Sequence, residues 1–174
     1  MLTVAVVGSG GAGPGAWDVG PRIVARLTGD RLTGGQPVPG QRASGEQTHV
    51  EGVQVLASTD LPVRLLSADS GLDELIMVES TRAGGTPGSI RQSVMETHGP
   101  GRPEPGTTAP GGVMGALTSL HLPPRVVVFS VEAGLEDGSG DGEATSVLAD
   151  RAVDEVFDLV IAELRRLDAS QRLA

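Results

Sequence analysis

Thr3-Val-Ala-Val-Val7 runs into Gly8-Ser-Gly-Gly-Ala-Gly-Pro-Gly15, and beyond that loop stands Asp18-Val-Gly-Pro-Arg-Ile-Val-Ala-Arg-Leu27. A short β-branched run with no polar alternation, closed by glycine, describes a strand buried on both faces. The spacing of Val19, Ile23, Val24 and Leu27 predicts a helix, with Asp18 placed to cap it, Pro21 in its first turn and Gly29 as its stop. Strand, loop and helix in that order open a parallel βαβ unit.

Working outward, Val53-Gln-Val-Leu56, Leu75-Ile-Met-Val78 and Arg125-Val-Val-Val-Phe-Ser-Val131 read as further buried strands. Ser89-Ile-Arg-Gln-Ser-Val94 alternates as an edge strand does, and 61–66 and 113–120 read as short helices. In the stretch 147–167, Val153, Val156, Phe157, Val160, Ile161 and Leu164 recur at three- and four-residue spacing opposite Asp150, Asp154 and Asp158, which predicts an amphipathic helix. Strands alternating with helices imply an α/β fold: a single domain over residues 1–174, built as a three-layer α/β/α sandwich on a mainly parallel sheet of about five strands. Residues 29–49 and 96–112, rich in glycine and proline, read as mobile loops, and 134–143 as an acidic one.

Composition removes whole classes of function. The 174 residues carry 13 basic and 22 acidic side chains, a net charge of -9, and no cysteine. Disulfides, thiolate metal sites and cysteine nucleophiles are excluded together, and the acidic balance argues against a nucleic-acid partner. No apolar run approaches the ~18 residues of a membrane span, and Met1 to Gly8 has no basic leader, so the expectation is a cytoplasmic protein away from membranes. All 13 basic residues are arginine, and lysine, asparagine and tyrosine are absent, a bias that fits a GC-rich genome. The charge is uneven: residues 130–174 hold 11 acids and 4 arginines and so carry -7 of the -9. That excess reads either as a solvated helix face or as a docking surface for a basic partner.

Four features could carry chemistry. Gly8-Ser-Gly-Gly-Ala-Gly13 matches G-x-G-x-x-G after a strand, which makes a nucleotide-binding module one alternative. The helix opens later than that fingerprint requires, and no acidic residue closes the second strand at the required distance, so a plain loop fits better. Ligands of open α/β sheets gather at the carboxyl ends of parallel strands, here 8–18, 79–88 and 131–142. Asp18 and Glu79 stand in two of these ends and could share a proton or a cation, although Asp18 reads better as a helix cap. Glu79 directly follows a buried run, where a carboxylate is costly without a partner or solvent. His49, His98 and His121 share no helical ligand spacing, and Ser9 does not complete a G-x-S-x-G elbow. Trp17, the single tryptophan, is either a binding platform or a staple that packs the loop onto the core.

Taken in order, Val4-Ala-Val-Val-Gly-Ser-Gly-Gly, then Asp18 to Leu27, then Leu75-Ile-Met-Val-Glu-Ser-Thr-Arg-Ala-Gly-Gly-Thr-Pro-Gly-Ser-Ile90, resemble the hydrogenase maturation proteases. Leu122-Pro-Pro-Arg-Val-Val-Val-Phe-Ser-Val-Glu132 and the final helix extend the resemblance over most of the chain. It implies an α/β/α sandwich and an endopeptidase that removes a C-terminal extension from the large subunit of nickel-iron hydrogenase. The implied partner is that precursor or another maturation protein.

The family uses three metal-binding positions. The first is an acidic residue in a pattern resembling G-N-x-x-x-x-D-[DE]-x-x-G; with its last glycine on Gly20, Ala16 and Trp17 fall at the acidic pair and Gly11 at the asparagine. The second, an aspartate before a Gly-Gly-x-Pro-Gly turn, is Glu79 here. The third, a histidine opening a later helix, falls on Ala109. An indole and an alanine supply no donor to a divalent cation, so the resemblance implies a recognition or maturation factor with a degenerate metal site. The alternative is an active endopeptidase in which Asp18, Glu79 and His98 hold a nickel-like divalent metal. On either reading Trp17, Gly84, Gly85, Pro87 and Ala109 line the cleft that receives the partner.

Overall fold

The computed structural model describes residues 2–9, 17–29, 49–50, 53–59, 71–96, 122–133 and 142–172. Six strands form one sheet: β1 (Leu2–Gly8), β2 (His49–Val50), β3 (Val53–Ser58), β4 (Glu74–Thr81), β5 (Ile90–Glu96) and β6 (Arg125–Glu132). Among the described residues two helices accompany them, α1 (Val19–Thr28) and α2 (Gly142–Arg172). The strand order is β2-β3-β1-β4-β6-β5. The four inner strands are parallel, while β2 and β5 run antiparallel to their neighbours on the two edges.

The α/β class and mainly parallel sheet match the sequence reading, with six strands where about five were expected. The addition is β2, two residues long, and it places His49 in a strand at the end of the segment read as a loop. A two-residue strand leaves no periodicity to detect. Glu96, read as the start of the second loop, closes β5. Helix α2 begins at Gly142, five residues before the apolar pattern does, and Ala144 to Leu148 are exposed or half-buried and carry no core residue. Loop residues 30–48 and 97–112, and the expected helices at 61–66 and 113–120, lie outside the described residues.

Alternation along the strands divides the core in two. Val4, Val6, Ile76, Val78, Val127 and Phe129 pack with α1 and α2 on one face. Ala5, Val7, Leu75, Met77, Val126 and Val128 form the other apolar cluster, joined by Leu72, Met95 and Leu122. Helix α1 lies so close to β1 that glycine is required on both sides. A Cβ on Gly8 would fall 2.1 Å from the Gly20 carbonyl oxygen, and one on Gly20 2.5 Å from the Ser9 oxygen. At the other end Gly29 takes a left-handed φ of 72° and stops the helix, as the sequence predicts.

Part of the acidic excess of the last third is matched inside the fold. Asp150 and Asp154 of α2 accept from Arg22 and Arg26 of α1 at 2.5 and 2.7 Å, and Arg26 lies 4.1 Å above the Phe157 ring. A stronger network ties α2 to the amino ends of β4 and β6. Arg166 donates to Glu74 at 2.8 Å and to Glu163 at 2.9 Å, and Arg125 donates to Glu163 at 2.6 Å. Arg125 Nε also stands 3.1 Å from Glu74 Oε2 without hydrogen-bonding alignment. Burial pushes the Glu74 carboxyl up to about 7, against the pull of Arg166 and Arg125. Burial also works to raise Glu163, but its hydrogen bonds and charge pairing with Arg125 and Arg166 outweigh it and hold that carboxyl below its ordinary value.

Candidate functional site

Beyond β1 the chain turns toward β3, and beyond β4 it turns the other way, through 82–89, toward β5. The carboxyl ends of these two neighbouring strands therefore mark the topological switch point, where open α/β sheets form their ligand crevice.

Glu79 is 4% exposed and accepts a 3.0 Å hydrogen bond from Ser130 Oγ, its cross-strand neighbour in β6. The register continues the row: Arg91 of β5 stands opposite Ser130. The next row toward the strand ends holds Thr81 opposite Glu132. These side chains share the face of Leu75 and Met77, so the apolar surface of that face becomes polar over the last turn of the strands. They border a cavity of about 580 Å³, completed by Ser89, Ile90 and the turn residues Ala83, Gly84 and Gly85.

The turn is held by Glu132, which is 7% exposed. Its Oε1 accepts from the Ala83 and Gly84 amides at 2.9 and 3.0 Å, and the Gly88 amide donates to its carbonyl at 2.8 Å. Gly84 and Gly88 both take φ of +81°, a conformation that costs side-chain-bearing residues about 1 kcal/mol or more. The glycines are therefore conditions of the turn, and the Glu132 carboxylate is the anchor that fixes it over the cavity.

The other expected site residues are placed differently. Trp17 is 5% exposed and packs in the apolar cluster on the helix face, which is the staple reading. Its carbonyl accepts from Ser80 Oγ at 2.5 Å, and its Nε1 finds no partner among the described residues. Ser80 follows Ile76 and Val78 on that face, whereas Glu79 opens on the opposite one. Asp18 occupies the N-cap position of α1, with its carbonyl accepting from the Arg22 amide at 3.2 Å, but its carboxylate makes no capping bond. Its backbone angles, φ -74° and ψ 53°, lie outside the extended region a capping side chain favours. Asp18 does not line the Glu79 cavity, and neither does Trp17 or Pro87. His98, Ala109 and residues 10–16 of the glycine loop lie outside the described residues.

Among the described residues, the donor set around Glu79 does not fit a divalent metal. Glu79 is a buried carboxylate, and Trp17, which the sequence resemblance sets at an acidic position, packs its indole into the core. Among the described residues no three histidine, aspartate or glutamate side chains stand close enough to share an ion. What the arrangement offers instead is a buried hydrogen-bond acceptor in Glu79, a cation in Arg91 and a rigid glycine turn between them.

Ser130, Glu132 and Arg91 were not singled out from the sequence. For Ser130 and Glu132 the signal was available in the period of two along β6, which puts Val126, Val128, residue 130 and residue 132 on one face. Arg91 could be linked to them only through the strand pairing.

No protein-family model matches the chain, and no curated protein does. Solved structures do. The hydrogenase maturating endopeptidase HybD of E. coli superposes with a TM-score of 0.54 at 19% identity, covering 95% of this chain and 93% of its own. The hydrogenase 2 maturation peptidase of a Thaumarchaeota archaeon gives 0.50 at 18%, covering 92% and 97%. A peptidyl-tRNA hydrolase gives 0.50 at 15%, covering 89% and 85%. At these identities the likeness establishes a shared fold. No helix among the described residues is long and apolar enough to cross a membrane.

Proposed function

We propose that this chain is a divergent relative of the hydrogenase maturation endopeptidases that keeps a partner-recognition cleft and has lost metal-dependent cleavage. One observation carries the reading: Trp17, at the position where the family resemblance expects a metal-binding carboxylate, is buried in the apolar core at 5% exposure. An indole in that place fills the volume of a ligand site and offers no lone pair to a cation.

The fold by itself does not choose between a maturation endopeptidase and a peptidyl-tRNA hydrolase, since both superpose. Two features favour the first. Glu79 stands three residues before the turn 82–89 with its Gly-Gly-Thr-Pro-Gly sequence, close to where the family's carboxylate stands, and it borders the polar cavity at that strand end. The net charge of -9 opposes an RNA substrate. The partner is then a hydrogenase large-subunit precursor or another protein of its maturation, received by the crevice between 79–88 and β5.

Titration calorimetry with nickel, zinc and cadmium tests the loss of the metal. The expected result is no stoichiometric binding by the wild type and no change in Glu79→Gln. A site of one ion per chain that disappears in Glu79→Gln overturns the reading and restores the active endopeptidase. Incubation with a precursor that carries its C-terminal extension supplies the second readout: a stable complex without cleavage is expected.

A further inference from the structure

The two edges of the sheet are built on different principles. One ends in β2, two residues long, too short to template another strand. The other ends in β5, seven residues in unbroken register against β6 from Ile90 to Glu96. Proteins blunt such edges with short strands, charged side chains, proline or bulges, and of these β5 carries only the charges of Arg91 and Glu96. The sequence Ile90-Arg-Gln-Ser-Val-Met-Glu96 contains no proline or glycine, its register has no bulge, and among the described residues nothing pairs with its outer side.

Two side chains on β5 are poised outward on opposite faces. Arg91 is exposed on the cavity side and makes no hydrogen bond or ion pair with any described residue, while Glu96 at the other end is engaged by Arg125 at 3.5 Å. Val94, on the helix side, is 46% exposed. In a chain of net charge -9, an exposed guanidinium with no ion-pair partner among the described residues selects for a carboxylate.

We infer that β5 is a docking strand: an extended segment of a partner protein adds to it as a seventh strand, with an acidic residue paired to Arg91 and an apolar one over Val94. Main-chain hydrogen bonds supply the affinity and the two side-chain contacts set the register. At a strand spacing of about 4.8 Å, the added segment runs along the rim of the Glu79 cavity, about 10 Å from the backbone of Ser130. The inference needs neither a metal nor the family assignment, because it rests on the edge and on Arg91.

The test is a titration of ¹⁵N-labelled protein with the capped heptapeptide Ac-Val-Thr-Thr-Glu-Thr-Thr-Val-NH₂, which sets a valine three residues from the glutamate in either strand direction, followed by NMR. Amide shifts confined to β5 and the adjoining turn are expected, with affinity in the millimolar range. Replacing the peptide glutamate by glutamine, or Arg91→Gln in the protein, weakens binding about tenfold, the worth of one charge-assisted contact. Making both changes costs no more than either alone. N-methylation of alternate peptide residues abolishes binding, because it removes the main-chain donors without touching the side chains. Shifts that map elsewhere, equal binding by Arg91→Gln, equal binding of the N-methylated peptide or no shifts at millimolar peptide overturn the proposal. So does self-association that broadens residues 90–96 as protein concentration rises, since a second copy is then the occupant.

Discussion

Glu74 and Glu79 stand five residues apart in β4, at 1% and 4% exposure, and the odd spacing sends them to opposite faces of the sheet. Glu74 looks toward α2 and sits among Arg125, Arg166 and Glu163. Glu79 opens on a cavity and meets, among the described residues, one serine hydroxyl. The residue type, the strand and the burial are nearly the same, so none of them separates a structural carboxylate from a candidate functional one. What separates them is the company: Glu74 has cations delivered by a second element, while Glu79 keeps most of the ~4 acceptor sites of a carboxylate for a ligand.

Four substitutions would break or sharpen that contrast. The largest effect is expected from Arg125→Met, which leaves Glu74 and Glu163 buried with a single cation between them. Removing one member of a buried network costs about 3–5 kcal/mol. Urea unfolding at pH 8 should show it, and the loss should shrink at pH 5, where Glu74 holds a proton.

Glu74→Gln addresses the titration itself. Because the folded carboxyl is raised from 4.5 to about 7, the native state binds that proton more tightly than the unfolded chain does. The contribution is therefore full below pH 4.5, declines as pH rises through about 7, and is flat above. At 1.36 kcal/mol per pH unit the decline amounts to about 3 kcal/mol. In Glu74→Gln this component of the pH profile should vanish, leaving the variant at least as stable as the wild type at pH 8. A wild-type stability that rises between pH 5 and 7, with no difference in the variant, would contradict the network.

On the other face, Ser130→Ala strips Glu79 of its one described hydrogen-bond donor, at an expected cost of about 1–3 kcal/mol. Combined with Glu79→Gln the cost should fall below about 1 kcal/mol, because a neutral amide in a polar cavity needs that donor less. Asp18→Ala is expected to be the smallest change, below about 0.5 kcal/mol, where a bonded N-cap is worth ~1. A larger loss in thermal melts would show that the Asp18 carboxylate has a partner in solution.

Much of this was legible in residue order. The apolar run at 3–7, the turn residues Gly84 and Gly88 and the period of α2 each report a local constraint: burial on both faces, a positive φ, an amphipathic stripe. Local constraints act on neighbours in the chain, so they can be read from neighbours. Asp18 shows where this fails. Its position before a helix predicts a capping bond, yet its backbone angles, φ -74° and ψ 53°, lie outside the capping region and the bond is not made.

The company of a side chain is not local. Glu79 meets Ser130 across a separation of 51 residues and Glu74 meets Arg166 across 92, so no periodicity within either segment encodes the pairs. The sequence by itself determined that a parallel α/β sheet forms, that a carboxylate lies near the end of its buried central strand and that a single tryptophan precedes the first helix. Only the tertiary structure decided that this tryptophan lies in the core, that Asp18 stays outside the Glu79 cavity, and that the second edge of the sheet ends in a full-length strand with Arg91 unpaired among the described residues. The physical reason is that burial patterns fix which face a residue takes, whereas strand order and register fix what waits for it there.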